Sequence, residues 1–94
     1  MIYSFSQLPK AQREILAAWE WYEDKQIGLG DHFKDAIADK INLIVRNPLH
    51  YPLKGELREA QISGYPFLLI YKIFRDQIII VSVFHTSRHP RKKR

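Results

Sequence analysis

The 94-residue chain is too short for more than one ordinary domain, and with 46% apolar and 13% aromatic residues it carries enough hydrocarbon to build a core. The absence of cysteine excludes a disulfide framework, a thiolate zinc site and a cysteine nucleophile, and no apolar stretch approaches the roughly 18 residues that span a bilayer. Fifteen Lys and Arg against ten Asp and Glu give +5, and all of that excess lies in Arg88, Arg91, Lys92, Lys93 and Arg94. Residues 1–87 are therefore neutral, and the basic tail, 88–94, is suited to phosphate or to an acidic protein surface, or is a solvated terminus. The first residues lack a basic segment followed by an apolar run, so a cytoplasmic chain is expected.

In chain order, Ile2 to Phe5 is β-prone and predicts a short strand that needs partners from later in the sequence. From Leu8 the apolar spacing becomes three and four: Leu8, Ala11, Ile15, Ala18, Trp19 and Tyr22 predict a helix with one buried stripe that fades near Gln26. Ser6 is the expected cap and Pro9 fits the first turn. Gly28-Leu29-Gly30 turns the chain, and Asp31 suits the first turn of a second helix whose apolar side is Leu29, Phe33, Ile37, Ile41, Ile44 and Val45. Asn47-Pro48 ends it.

The stretch from Pro48 to Gly55 reads as a loop and Glu56 to Ile62 as an amphipathic strand. Phe67 to Phe74 and Gln77 to His85, with Arg75-Asp76 between them, predict a hairpin of central strands. The expected fold class is α+β, in the order β-α-α-β-β-β, with a two-helix hairpin packed on one face of a twisted antiparallel sheet. Alternation puts Phe67, Leu69, Tyr71 and Ile73 on one face and Leu68, Ile70, Lys72 and Phe74 on the other. Two helices cover one face only, so the other is expected to expose apolar side chains that fit a protein partner, unless the chain's own loops wrap it.

The chemistry-bearing residues are sparse. His85 and His89 lack the context of a zinc site, and Gly28-Leu29-Gly30 joins two helices rather than following a strand, which removes a dinucleotide-binding turn. Neither a metal nor a cofactor is expected. Ser82 and Ser87 have no ordered base, and Glu56 and Glu59 lie among Lys54 and Arg58 as in ordinary strand-face ion pairs. The informative group is Arg58, Tyr65, His85, Arg88, His89 and Arg91. If register brings its arginines together they could clamp phosphates or recognise acidic groups of a protein; otherwise they form an exposed rim. Any proton transfer would need His85 or His89, because arginine does not deprotonate.

Trp19, Tyr22, Gly28-Leu29-Gly30 and Phe33, followed by Asn47-Pro48, Tyr51-Pro52, Arg58, Gly64-Tyr65-Pro66-Phe67, Ile70-Tyr71, Val83-Phe84-His85, Arg88 and Pro90, together resemble the RelE/ParE toxin superfamily, on its ParE branch. The resemblance spans about Ala11 to Pro90. It implies the toxin of a type II toxin-antitoxin pair, silenced by a cognate antitoxin, with a homodimer or a toxin-antitoxin hetero-oligomer as compatible assemblies and no membrane partner. ParE-like members inhibit DNA gyrase, whereas RelE-like members cut messenger RNA on the ribosome with lysines, arginines and a late tyrosine. In this chain the RelE-type basic positions fall on Glu59, Gln61 and Leu68, with Arg88 retained, and no tyrosine follows Tyr71. The ParE pattern also has gaps, at Leu68 and at Ser87-Arg88.

The resemblance therefore implies a non-enzymatic gyrase inhibitor whose target-binding residues are Arg58, Tyr65, His85, Arg88 and Arg91. An RNase using Arg58, His85 and Arg88 is the alternative, and a degenerate toxin that only binds its antitoxin is a third.

Overall fold

The meander of the last three long strands is built by alternation and tight turns, as a computed structural model shows for residues 2–87, the residues described below. Strand β1 (Ser4–Gln7) leads into helices α1 (Pro9–Lys25) and α2 (Leu29–Arg46), then β2 (Leu53–Lys54), β3 (Leu57–Gln61), β4 (Phe67–Phe74) and β5 (Gln77–His85). The five strands lie in the order β1-β5-β4-β3-β2. The pairings β2–β3, β3–β4 and β4–β5 are antiparallel, while β1 joins β5 in parallel, so the sheet is mixed. Both helices pack on one face, giving the expected α+β arrangement.

Paired residues share a face, so register fixes what each side of the sheet carries. Phe67, Leu69 and Tyr71 of β4, opposite His85, Val83 and Ile80 of β5, point toward the helices. There they meet Phe33, Ile37, Ile41 and Ile44 of α2 and Ala11 and Ala18 of α1 in a buried core. Leu68, Ile70, Lys72 and Phe74 point the other way, as alternation predicts, opposite Phe84, Ser82, Ile79 and Gln77. A bulge between Ile70 and Tyr71 leaves Val81 as an extra residue on β5.

The helix junction depends on a close approach. A Cβ on Gly30 would lie 2.7 Å from the Trp19 carbonyl oxygen, so only glycine lets α2 start against α1. Gly28 adopts φ 92°, and the Glu23 carboxylate of α1 accepts hydrogen bonds from the amides of Gly28 and Gly30, both at 3.0 Å. Trp19 Nε1 donates to Asp31 at 3.0 Å, tying the two helices once more.

Four expectations change. The sheet, expected to be antiparallel, is mixed, because β1 pairs with β5 in parallel. The residue capping α1 is Leu8, without a side-chain cap, and Ser6 lies inside β1, because the strand runs to Gln7 in order to pair with β5. Strand β1 itself begins at Ser4 rather than Ile2. The segment 48–55, expected as loop throughout, contributes the two-residue strand β2. Among the described residues no helix is long and apolar enough to cross a membrane, and no group of three His, Asp or Glu could hold a metal ion.

Candidate target-binding and partner-binding surfaces

The residues singled out by sequence occupy two separate places on the sheet. Arg58 pairs with Tyr71 on the helix-facing side, near the middle of β4. Its guanidinium donates to the Tyr51 carbonyl at 2.7 Å and more weakly to the Leu49 carbonyl at 3.4 Å. The Tyr71 hydroxyl donates to the Pro48 carbonyl at 2.6 Å. Together the two side chains pin the segment that follows α2. Burial pushes the Tyr71 phenol up to about 12, against the opposing influence of the Arg58 charge.

Tyr65 and His85 lie at the other end. Tyr65 packs edge-on against Tyr22 and Phe33, with ring centroids 5.3 and 5.2 Å apart, and His85 packs edge-on against its cross-strand neighbour Phe67 at 4.9 Å. His85 Nδ1 accepts the Ser87 amide at 3.1 Å, so a neutral ring carries its proton on Nε2. Four residues of β4 separate the partners of Arg58 and His85, about 13 Å at the usual strand rise. Tyr65 and His85 therefore share one aromatic cluster through Phe67, and Arg58 stands apart from them. Arg88, His89 and Arg91 lie outside the described residues.

The helix-free face carries Glu59, Gln61 and Leu68, the residues that the resemblance sets against RelE-type cations. Glu59 and Gln61 of β3 lie opposite Ile70 and Leu68 of β4 on that face. Glu59 is 3.7 Å from Lys54, and Gln61 Nε2 donates to the carbonyls of Tyr65 at 2.8 Å and Phe67 at 3.2 Å. An acid, a committed amide and a leucine thus stand there, with Lys72 exposed beside them.

Hydrocarbon is exposed in a different distribution from the one expected. On the helix-free face Leu68, Ile79 and Phe84 are half-buried, Ile70 is only 7% exposed, and Phe74 at the hairpin end is the well-exposed member at 58%. The larger apolar opening is on the helix side. A groove of about 600 Å³ runs between α1, α2 and β1, walled by Phe5, Ile15, Leu16, Trp19, Ile37 and Ile41. A smaller one of about 330 Å³ lies between α1 and the part of β5 that β1 does not reach, lined by Ala18, Trp21, Phe67, Val83 and His85.

Sequence reasoning missed Glu14, which closes that uncovered part of β5. Its carboxylate accepts the Val83 amide at 2.9 Å and the Ser82 hydroxyl at 2.8 Å, and it pairs with Lys10 at 2.7 Å. An acid on the rim of an otherwise apolar helix stripe was the available signal. Glu23, equally missed, sits four residues after Trp19, near the end of a helix whose neighbouring glycines offered the free amides.

The model of the ParE toxin of the type II toxin-antitoxin system parDE matches residues 6–90, nearly the whole chain. The chain belongs to this ParE toxin family. It is a toxin of the ParE/RelE superfamily of type II toxin-antitoxin systems. Solved structures share the fold at low sequence identity. A chromosomal ParDE toxin-antitoxin system from P. aeruginosa aligns with TM-score 0.75 and 15% identity, over 92% of this chain and 98% of that one. An E. coli RelE toxin mutant in complex with an antitoxin RelBc peptide aligns with TM-score 0.69 and 16% identity, over 100% and 96%. The E. coli DinJ-YafQ toxin-antitoxin complex aligns with TM-score 0.66 and 15% identity, over 97% of each chain. Among curated proteins none matches the chain.

Proposed function

We propose that this ParE-family toxin acts by binding its target, DNA gyrase or a similar protein, and does not cleave RNA. The observation that carries the reading is the composition of the helix-free sheet face. Glu59, Gln61 and Leu68, which the resemblance sets against the cations of an RNA-cleaving relative, are an acid 3.7 Å from Lys54, an amide committed to two carbonyls and a leucine, and none of them could stabilise a cleaving phosphate. Arg58 and His85 pair with β4 four positions apart, about 13 Å at the usual strand rise, and the Arg58 guanidinium is engaged with the Tyr51 carbonyl, which argues against a phosphate clamp made of the two. Target contact then falls to Tyr65 and His85, which share an aromatic cluster at one end of the sheet, and to Arg88 and Arg91, which follow His85 in the sequence, while Arg58 acts by holding the segment 48–51 in place.

A cognate antitoxin is the second partner. The ParDE, RelE and DinJ-YafQ structures named above are toxin-antitoxin systems or complexes, and this chain offers a concave apolar groove between α1, α2 and β1 as the seat for an apolar antitoxin segment. An antitoxin placed there would leave the target-binding end to be masked by a further stretch of the same polypeptide.

The test is to assay the purified chain in parallel for inhibition of gyrase supercoiling and for cleavage of ribosome-bound message. Inhibition without cleavage supports the reading. Cleavage without inhibition replaces it with the RelE-like activity, and neither effect leaves a toxin that only binds its antitoxin.

A further inference from the structure

Helix α1 stands between the two grooves, and its outermost stripe is neither packed nor polar throughout. Arg13, Leu16, Ala17, Glu20 and Asp24 recur at helical spacing on this stripe and all are exposed, Leu16 at 56%. Among the described residues neither Arg13 nor Glu20 has an ion-pair partner. The order of these residues is self-complementary under a two-fold axis. If two copies of α1 lie antiparallel with the axis between Leu16 and Ala17, Arg13 of each faces Glu20 of the other, and Leu16 of each faces the other's Ala17. Seven residues separate Arg13 from Glu20, about 10 Å along the helix, so the two ion pairs fall one on each side of the apolar centre, about 5 Å from the axis. The small Ala17 side chain lets the helices approach at the centre, and antiparallel helices also oppose their dipoles favourably.

We infer that the occupant of this stripe is a second copy of the same chain, in an isologous dimer of α1 helices whose register is set by Arg13–Glu20 pairs. Exposed ion pairs contribute little affinity and are screened by salt, so the association is weak and salt-sensitive, with Leu16 supplying the buried hydrocarbon. A parallel arrangement would place Arg13 beside Arg13 and Glu20 beside Glu20, which argues for the antiparallel one. The inference concerns the antitoxin-free toxin, since Leu16 also walls the groove proposed for the antitoxin, and it does not depend on what the target is.

Sedimentation equilibrium of the full chain without antitoxin tests it, over a range of protein concentrations and from about 0.05 to 1 M salt. The wild-type chain is expected to show a monomer–dimer equilibrium that shifts toward monomer with salt. Arg13→Glu and Glu20→Arg should each raise the dimer dissociation constant by about tenfold or more, and the double exchange should restore it. Both positions are exposed, so far-UV circular dichroism should be unchanged in all variants; the salt dependence of the wild-type chain is a readout that needs no variant. A chain that is monomeric at every concentration overturns the inference. So does a dimer indifferent to salt, a dimer unaffected by the single exchanges, or a double exchange no better than either single one. An effect of the exchanges on antitoxin binding with no self-association would assign the stripe to the antitoxin instead.

Discussion

At the scale of single residues, Arg58 and Tyr71 show how a side chain read from sequence as a binding group is used by the fold. The sequence presents Arg58 as a solitary arginine before a hydrophobic hairpin, a pattern that suits target contact; nothing local reveals that the chain after α2 returns beneath it to offer the Tyr51 carbonyl at 2.7 Å. Replacing Arg58 by Ala leaves that carbonyl without its charged donor and is expected to cost about 1–3 kcal/mol in urea unfolding. A loss of toxicity in this variant would then track its lowered stability. Tyr71 is fully buried, and its phenol is pushed up to about 12. An unfolded tyrosine ionises near pH 10, so the unfolded chain releases this proton first and stability, complete below about pH 10, falls as pH rises toward about 12. Tyr71→Phe should cost about 1 kcal/mol at neutral pH and flatten that alkaline decline, measurable by unfolding at a series of pH values. Glu14 and Glu23 were not legible, because their partners are backbone amides brought near by tertiary packing.

At the scale of elements, the hairpin of β4 and β5 could be read to the residue. Long runs of Ile, Leu, Val and Phe flank a two-residue turn, and alternation sorted their faces correctly. Helix α2 was nearly as plain, since Asn47-Pro48 stops it and its apolar stripe is continuous. Strand β1 was less so. Its bounds follow from a parallel partner more than 70 residues away, where Ser4 meets Gln77, and that pairing draws Ser6 into the sheet and away from the helix cap. The bulge beside Tyr71 and the short β2 likewise reflect cross-strand geometry that no local pattern encodes. The helix junction yields a sharp prediction. Gly30→Ala puts a methyl 2.7 Å from the backbone oxygen of Trp19, which cannot rotate aside, and should destabilise the chain by about 1–3 kcal/mol despite the higher helix propensity of alanine. A Gly30→Ala chain as stable as the parent would mean that the two helices can separate at no cost.

For the molecule as a whole, charge and hydrocarbon are segregated: a neutral body bears the apolar groove, and the last seven residues bear the whole charge excess. Composition made the basic end plain. The place of the apolar groove was not, because it is lined jointly by α1, α2 and β1, whose tertiary arrangement no local periodicity encodes. If the basic end contacts the target, removing residues 91–94 should lessen the salt dependence of target binding while leaving antitoxin affinity nearly unchanged. Equal salt slopes for the full and shortened chains would make those residues bystanders.

On the proposed reading this toxin works by occupying its target. Inhibition by occupancy requires toxin in proportion to target, whereas a nuclease turns over and disables many message molecules per copy. The most direct measurement is therefore the toxin concentration giving half-inhibition of supercoiling as gyrase concentration is raised under tight-binding conditions. It should rise in step with gyrase, with no message cut at the same doses; complete loss of ribosome-bound message at a small fraction of its molar amount would contradict the account.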